Sequence, residues 1–218
     1  MIDLTRFTTD PAFTATTFVA IDFEATTPTG FPSEPIEVGA VLLRLEGAVL
    51  VEVSRFEALM RPPEHAPVTA FQMGITAAMV ADRPPAGTVL AEFDATLSAP
   101  PYVAVAHHAA TEAGILARYA PCCPTLAAAP LLCTRDLARH AYPGLASYSL
   151  DALLLHTQRP VPAGRHRALP DTRATAAFFQ RLLTDGAARH RWSRLHQLHQ
   201  LAGRPAPAAA ITTPDALF

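Results

Sequence analysis

The stretch Phe18-Val19-Ala20-Ile21-Asp22-Phe23-Glu24 decides the fold of this chain, because an apolar run leads directly into two acids. A short run of β-forming apolar residues bounded by polar ones predicts a buried strand. Side chains alternate faces along a strand, so Asp22 and Glu24 point to the same side. Two neighbouring carboxylates repel each other unless a cation lies between them, and Mg²⁺ prefers such oxygens. The alternative is a strand end with two solvated acids, a common feature of protein surfaces.

Length and composition indicate one globular domain. The chain has 218 residues, of which 50% are hydrophobic, enough for a sizeable core. Residues 1–10 are polar, unlike a secretory signal, and no apolar run approaches the roughly 20 residues of a membrane helix. We therefore expect a cytoplasmic protein without membrane association. The cysteines, Cys122, Cys123 and Cys133, lack the spacing of a zinc site or a disulfide framework.

The charge is distributed unevenly, although the net charge is only −2. Residues 1–158 hold 8 Arg and 16 acids, whereas residues 159–218 hold 9 Arg and 3 acids. An acidic first part can supply metal ligands, and an Arg-rich second part can face a polyanion. We expect the helix predicted over residues 187–201 to contact such a polyanion. The alternative, that Arg is simply the default basic residue, explains the absence of Lys but not the clustering of Arg.

Further β segments follow the first strand. Residues 36–45 and residues 49–59 predict two strands, and Glu46-Gly47 between them is a tight-turn sequence, so the first three strands predict an antiparallel meander. Residues 102–106 and 131–133 predict two more strands that alternate with helices. The sequence thus predicts an α/β fold with a mixed five-stranded sheet, a three-strand antiparallel meander plus two parallel strands, flanked by helices. Helices are predicted around Phe71 and over residues 76–81, 85–98, 109–119, 135–140, 149–155, 170–183 and 187–201.

The chain divides into three parts by its patterning. Residues 1–17 are Thr-rich and weakly patterned, and we predict that they are a lead-in segment. Residues 18–202 form the predicted domain. Residues 203–218 are rich in Pro and Ala, which predicts a disordered tail.

Two further polar clusters follow the ends of predicted elements. In His107-His108-Ala109-Ala110-Thr111-Glu112, a strand runs into a turn and then a helix whose first turn holds Glu112. In His166-Arg167-Ala168-Leu169-Pro170-Asp171, the acid lies in the first turn of another helix, where negative charge is tolerated. Parallel neighbouring strands bring the ends of the first and fourth strands together. Four carboxylates therefore lie beside the ends of elements.

With these motifs the chain resembles the DEDDh 3′–5′ exonucleases, the DnaQ-like family that includes the proofreading subunit of bacterial DNA polymerase III and ribonuclease T. The first motif is Asp22-Phe23-Glu24-Ala25-Thr26, and the last is His166 five positions before Asp171. The resemblance spans about residues 18–183. It also rests on the segments Glu34-Pro35-Ile36-Glu37-Val38-Gly39-Ala40-Val41, Gly74-Ile75-Thr76, Val105-Ala106-His107-His108-Ala109 and Thr134-Arg135-Asp136-Leu137-Ala138-Arg139.

The resemblance implies an RNase H-like fold and a two-metal hydrolase. Asp22, Glu24 and Asp171 would bind a first Mg²⁺ or Mn²⁺ ion, and Asp22 would also bind a second ion, with Glu112 behind it. His166 would be the general base that deprotonates the attacking water. The implied reaction releases 5′-mononucleotides from the 3′ ends of single-stranded DNA or RNA.

The second motif departs from the family pattern. His108 replaces the usual Asn, Thr111 the usual Phe and Glu112 the usual Asp. The longer Glu keeps the charge but moves the carboxylate outward, and Mg²⁺ tolerates poor geometry badly. The alternative function is therefore a catalytically weakened module of the same fold that binds nucleic acid or a polymerase. The presence of all four acids together with His166 favours the enzyme.

Substrate contacts are expected after the first acids, where the loop over residues 26–31 would lie beside the terminal nucleotide. The residues expected to bind substrate are Phe23, Ala25, Thr26 and His108. For Phe23 the alternative is a position in the core. His107 and His108 are expected to pack against or support the metal ligands, because hard metals prefer oxygen, and metal ligation is the alternative.

The end of the chain, Leu217-Phe218, loosely resembles the peptides with which bacterial replication proteins dock on the sliding clamp. An apolar pair after a flexible spacer can anchor in the groove of a partner. The alternative is a tail without a partner. The candidate protein partners are a DNA polymerase, the sliding clamp and, in a homodimer, a second copy of the chain.

Overall fold

The computed structural model describes residues 2–69, 74–162, 164 and 166–212. The helical piece expected around Phe71 lies outside these residues, as do Leu217 and Phe218. Among the described residues, no helix combines the length and the apolar character that crossing a membrane requires.

The centre of the molecule is a six-stranded sheet with the order β3-β2-β1-β4-β5-β6. Strands β1, β2 and β3 form the antiparallel meander, and β4 pairs in parallel with both β1 and β5. The predicted mixed sheet is thus confirmed. The sixth strand is a difference from the prediction: β6 has two residues and pairs antiparallel with β5, and so short a strand leaves no pattern in a sequence. The strands are β1 Thr17–Thr26, β2 Glu34–Glu46, β3 Val49–Leu59, β4 Tyr102–Ala106, β5 Leu131–Cys133 and β6 Gly203–Arg204.

Helices cover both faces of the sheet, as the sequence predicts. Short 3₁₀ helices lie near the two ends of the described chain, at Thr5–Phe7 and Pro207–Thr212. The α-helices are α1 Pro11–Ala15, α2 Ala77–Val80, α3 Ala86–Ala95, α4 Ala109–Arg118, α5 Pro124–Ala127, α6 Thr134–Ala141, α7 Leu150–His156, α8 Ala168–Ala188 and α9 Leu195–Ala202.

The two faces of the sheet bury separate hydrophobic cores. Phe18 and Ala20 of β1 pack with α6, α7 and α8 on one face, whereas Val19 and Ile21 pack with α3, α4 and α5 on the other. Side chains alternate along β1, so its two acids continue the series of Phe18 and Ala20. Both acids therefore point to the face that α8 covers.

The core extends beyond the range predicted for the domain. Leu4, Phe7 and Phe13 are fully buried in the core on the α8 face. The ring of Phe13 lies 4.4 Å from that of Phe7 and 4.8 Å from that of Phe18, measured between centroids. At the other end, the sheet continues past residue 202 into β6. Residues 4–13 and 203–204 thus contribute to the packed structure.

The prediction of a single helix over residues 187–201 is wrong. Helix α8 continues to Ala188, and α9 begins only at Leu195. His190 between them has a φ of +56°, in the left-handed region that ends a helix. The chain then folds back so that the ring of Trp192 occupies the space beside Gly186, where a Cβ would collide with it. Burial of Trp192 against α8, a tertiary contact, overrides the continuous helical pattern.

Candidate active site

Three carboxylates converge at the end of β1. Asp22 and Glu24 come from β1 and Asp171 from the first turn of α8, and each offers an oxygen within 4.8 Å of the others. Glu24 and Asp171 are each 7% exposed, whereas Asp22 is half-buried. Like charges this close repel each other strongly when they are shielded from water. The cluster is therefore suited to a cation that all three carboxylates can share.

Strand β2 carries the residues that bring α8 to this cluster. Gly39 lies opposite Asp22 in the pairing of β1 with β2. A Cβ on Gly39 would collide with the backbone of Ala168, so glycine is what allows α8 to begin directly against the strand. Thr172 Oγ1 then donates a hydrogen bond to the carbonyl oxygen of Gly39 at 2.9 Å. The first turn of α8 is thus fixed over the strand that pairs with the acids of β1.

Glu37, which lies opposite Glu24, holds the start of α8 in place. Its carboxylate is fully buried and accepts hydrogen bonds from Arg167 Nε at 3.0 Å, Arg167 Nη2 at 2.5 Å and Ala168 N at 2.9 Å. Hydrogen bonding to Glu37 raises the pKa of Arg167. These partners are 130 and 131 residues apart in sequence. They determine where Asp171 lies relative to β1.

Sequence reasoning assigned no role to Glu37 or Gly39, although both lie in a segment that resembles the exonuclease family. An acid inside an otherwise apolar strand was the available signal for Glu37, because a buried charge needs a partner. No local signal marks Gly39. Its requirement for glycine arises from α8, which is remote in sequence.

His166 lies in the loop that leads into α8. Its φ of +65° is uncommon for a residue with a side chain. The backbone N–H of His166 donates to Asp171 Oδ2 at 3.3 Å, so the five-residue spacing of the motif closes a local contact. The side chain of His166 is exposed. The structure thus places His166, with its exposed side chain, beside the residue that supplies the third carboxylate.

Glu112, the fourth predicted acid, lies outside the three-carboxylate cluster. It is in the first turn of α4 and is only 4% exposed. Its Oε2 atom is buried and has no hydrogen-bond partner in the part of the chain that the structure describes. Burial raises the pKa of Glu112 to about 8. The negative charge of a buried carboxylate of this kind is neutralised either by a proton or by a bound cation.

Glu112→Gln is expected to remove a pH dependence from the stability of the metal-free protein. Between the ordinary pKa of 4.5 and the raised value of about 8, the folded chain keeps a proton that the unfolded chain has lost. The unfolded state then binds fewer protons, so wild-type stability falls as the pH rises through this window. The melting temperature of the variant minus that of the wild type should therefore increase as the pH rises from about 5 to about 8.5. Thermal unfolding in EDTA measures this gain, and a difference that does not change with pH would contradict the raised pKa.

The donor set fits a hard divalent cation. The converging atoms are all carboxylate oxygens, which Mg²⁺ and Mn²⁺ prefer to nitrogen or sulfur. Glu112, outside this cluster, has a buried Oε2 atom that lacks a hydrogen bond within the described residues. The alternative of two solvated acids does not hold for Glu24, which is buried. The three converging carboxylates can therefore supply the ligands of a Mg²⁺ or Mn²⁺ site.

The expected substrate-binding residues are placed differently from one another. Phe23 is 7% exposed and packs in the core on the face opposite the acids, as the core alternative expects, and its contact with substrate stays a prediction. Ala25 is half-buried, and Thr26 is buried with its hydroxyl directed to the carbonyl of Glu34 at 3.4 Å. The alternation of side chains along β1 explains the position of Phe23, because it separates Phe23 from the acids on either side.

The two histidines after β4 differ in their surroundings. The ring nitrogens of His107 lie 3.0 Å from Thr134 Oγ1 and 3.0 Å from the carbonyl oxygen of Tyr148. His107 therefore joins β4 to α6 and to the loop before α7, which is a packing role. His108 is exposed, and its Nδ1 lies 3.2 Å from Thr111 Oγ1. His108 is thus accessible to a ligand.

Two arginines of the expected polyanion-binding helix have structural contacts. Arg189 donates to the carbonyl of Ala141 at 2.8 Å, and Arg191 donates to the carbonyl of His140. Both carbonyls belong to the last turn of α6, where cations stabilise the helix end. These arginines therefore stabilise the end of α6.

Comparison with known proteins places this geometry in a family. Residues 19–179 match the family model RNase T, described as exonuclease. The chain is 33% identical over 171 residues to the DNA polymerase III subunit epsilon of Aquifex aeolicus, an alignment that covers 78% of this chain and 81% of the relative. It is 32% identical over 176 residues to the PolC-type DNA polymerase III of Caldanaerobacter subterraneus, with 76% of this chain but only 11% of that protein covered.

Solved structures share the fold. The nuclease domain of 3′hExo, a DEDDh family member bound to rAMP, has a TM-score of 0.67 at 21% identity, with 81% of this chain and 95% of that chain covered. Exonuclease X in complex with 5′ overhanging duplex DNA has a TM-score of 0.58 at 25% identity, with 86% and 97% covered. The mixed sheet with its flanking helices is therefore a known architecture.

Proposed function

The chain belongs to the RNase T exonuclease family, and from this premise we propose that it is a two-metal 3′–5′ exonuclease that releases 5′-mononucleotides from single-stranded ends. The observation that carries the proposal is the convergence of Asp22, Glu24 and Asp171 within 4.8 Å, two of them buried. Three carboxylates this close and this buried destabilise the fold unless a bound cation neutralises their charge.

In this mechanism each side chain has a separate task. Asp22, Glu24 and Asp171 would hold one divalent ion, and Asp22 with Glu112 would hold the other. When bound, the two ions stabilise the attacking and leaving oxygens of an in-line displacement at phosphorus. His166 takes the proton of the attacking water, a task that suits histidine near neutral pH.

The bond changes follow from these roles. The water oxygen forms a new bond to phosphorus as the bond from phosphorus to the upstream 3′-oxygen breaks. The leaving 3′-oxygen takes a proton from solvent. The products are a 5′-mononucleotide and a strand that is one nucleotide shorter, with a new 3′-hydroxyl.

The similarity to DNA polymerase III subunits favours DNA as the substrate of this chain. The Aquifex aeolicus relative is a subunit of DNA polymerase III, and the chain covers 81% of its length. A DNA polymerase is accordingly the protein partner to test first. The proposed location of the protein is the cytoplasm. Docking on the sliding clamp through residues 217–218 and formation of a homodimer stay predictions.

The direct test is incubation with 5′-labelled single-stranded DNA and RNA of the same sequence in Mg²⁺, Mn²⁺ or EDTA. We expect a ladder that shortens from the 3′ end in either metal and no cleavage in EDTA. A 3′-phosphorylated strand of the same sequence is the control, because it lacks the free 3′-hydroxyl end. Cleavage from the 5′ end, or cleavage that persists in EDTA, would refute the proposal.

Glu112→Asp is expected to preserve or raise the rate in Mg²⁺. The shorter side chain restores the carboxylate of the family motif, and Mg²⁺ is strict about ligand geometry. Rates in Mg²⁺ and Mn²⁺ should be compared for variant and wild type, because the gain should be larger in Mg²⁺. A loss of about tenfold or more, equivalent to roughly 1.4 kcal/mol, would mean that the site is built around the longer Glu112.

A catalytically weakened binding module is the second candidate. It is favoured by one observation: Glu112 lies outside the three-carboxylate cluster. For this candidate, the wild type would bind single-stranded DNA but release no mononucleotide in either metal. The Glu112→Asp variant would then gain activity from a zero background.

A further inference from the structure

A basic cavity of about 480 Å³ opens at the carboxyl ends of β4 and β5. Its size is in the range of ligand-binding clefts. Two arginines, Arg135 and Arg139, line it, and none of the described residues that line it is an acid. Other parts of its wall are His107, His108, Ser147 and Tyr148.

The cavity lies at the same edge of the sheet as the proposed metal site. β1 and β4 run in parallel, with Ala20 opposite Val105, so the acids that end β1 and the histidines that follow β4 leave the sheet at the same edge. Neighbouring strands are roughly 4.8 Å apart, so one or two strand spacings separate the metal site from the cavity. The ring of His107 also meets the ring of Phe178 of α8, with centroids 6.4 Å apart, on the face to which the acids point.

The positive charge of the arginines at the cavity exceeds the negative charge of the carboxylate that pairs with them. Arg135 Nε is buried and has no hydrogen-bond partner among the residues that the structure describes. Arg139 pairs with Asp136 at 2.6 Å, and its guanidinium lies 5.5 Å from the ring centroid of Tyr148. Asp136 also pairs with Arg204 at 3.0 Å. One carboxylate thus serves two arginines while Arg135 adds a third positive charge.

The two histidines contribute differently to the cavity. The pKa of the exposed His108 is lowered first by partial desolvation of its ring and then by the nearby Arg135, Arg204 and Arg139, against the opposing effect of Asp136. Both ring nitrogens of His107 are engaged with other residues, so it forms a wall of the cavity and is not a donor to a ligand. Arg135 and Arg139 are therefore the groups that an anion would meet.

We propose that the basic cavity binds a phosphodiester of the substrate strand, upstream of the terminal nucleotide that is hydrolysed at the acids. This inference rests on the proposed exonuclease function. Guanidinium groups match phosphate oxygens in geometry and charge. A strand that enters the metal site with its 3′ end extends across the sheet edge, where the cavity is the adjacent positive surface. An acidic peptide would be the alternative ligand, and the test separates the two.

The test compares the double variant Arg135→Gln/Arg139→Gln with a matched pair, Arg44→Gln/Arg55→Gln. Both variants lose two positive charges, but Arg44 and Arg55 lie on β2 and β3, and Arg44 is near the opposite end of β1, because Leu43 pairs with Phe18. Two substrates are used, a single-stranded oligodeoxynucleotide and the p-nitrophenyl ester of thymidine 5′-monophosphate. The ester offers a phosphodiester to the metal site and no upstream phosphate to the cavity.

For the cavity variant we expect the KM for the oligonucleotide to rise about tenfold, the effect of removing charged hydrogen bonds to one phosphate, with kcat changed by less than about twofold. An oligonucleotide with neutral methylphosphonates at its first upstream linkages should have a similarly raised KM with the wild type. With the cavity variant, the same modification should raise the KM little further. Hydrolysis of the ester should not distinguish the cavity variant from the matched pair. Equal KM values for oligonucleotide in the two variants would overturn the inference.

Binding in EDTA tests the cavity without catalysis. Fluorescence anisotropy of a labelled single-stranded oligodeoxynucleotide should give a salt dependence of log K whose slope falls by about 0.7 for each phosphate that the cavity variant no longer binds. An unchanged slope would overturn the inference, and binding of a Glu-rich peptide by the wild type but not by the variant would favour the alternative ligand. A wild type that hydrolyses neither substrate refutes the proposed function, whereas the slope in EDTA still decides the cavity.

Discussion

Asp171→Asn is expected to abolish hydrolysis of single-stranded DNA while the fold stays intact. Asn keeps the shape of the side chain and an oxygen that can accept from the backbone of His166, but it removes one of the three charges that lie within 4.8 Å of each other. Loss of one ligand charge should cost several kcal/mol of transition-state stabilisation, a fall in kcat of about 10³-fold or more. Single-turnover release of mononucleotides in Mg²⁺ measures the fall.

The same variant should bind metal weakly without being less stable when metal is absent. Removal of a like charge relieves repulsion with Asp22 and Glu24, so the melting temperature in EDTA should equal or exceed that of the wild type. A ligand that binds only the folded state raises the melting temperature, so Mn²⁺ should stabilise the wild type and stabilise the variant much less. Undiminished hydrolysis, or a full stabilisation by Mn²⁺, would place the metal site elsewhere.

Asp185→Asn is the matched control on the same helix. Asp185 accepts hydrogen bonds from Tyr142 Oη at 2.6 Å and from Arg181 Nε at 2.9 Å, on the part of α8 remote from its first turn. The substitution should lower the stability of the protein, because it weakens this network. It should leave kcat and the stabilisation by Mn²⁺ unchanged.

Gly39→Ala is expected to damage both stability and activity through a single methyl group. The new Cβ would collide with the backbone of Ala168 and Leu169, so the start of α8 must move away from β2. Overpacking of this kind costs about 1–3 kcal/mol of folding free energy. The shift also displaces Asp171 from Asp22 and Glu24, and misplacement by about 1 Å can cost roughly 10²-fold in rate. Chemical denaturation and kcat measure the two effects.

Gly114→Ala is the control for this substitution. Gly114 is in α4, and a Cβ there would meet no atom within 4 Å. Alanine is the better helix former, so this variant should be more stable by up to about 1 kcal/mol and should keep its activity. If Gly39→Ala retained full activity at a temperature where it is folded, the close approach of α8 to β2 would not be what positions Asp171.

Local sequence determined the elements and the chemistry of the first motif. The alternation in β1 predicts that Asp22 and Glu24 share a face, because side-chain direction along a strand depends only on the backbone of that strand. The five-residue spacing from His166 to Asp171 likewise closes within one loop and the first turn of α8, where the backbone N–H meets the carboxylate. These features need no information from the rest of the chain.

The tertiary structure decided how these elements meet. Glu37 and Gly39 locate α8 across more than 100 residues of sequence, through a buried ion pair and a close backbone approach that no local pattern reveals. Trp192 ends a helix that the sequence alone would continue, because its ring packs beside Gly186.

The same distinction applies to the individual side chains of the candidate site. Phe23 lies next to both acids in sequence but on the opposite face of the sheet, so it packs in the core. Glu112 is recognisable as an acid at a helix start, yet its raised pKa follows from burial that only the packed structure sets. Sequence by itself thus determined which carboxylates are available and which way those of β1 point. The folded chain decided which of them converge, because burial and distance depend on contacts between segments far apart in sequence.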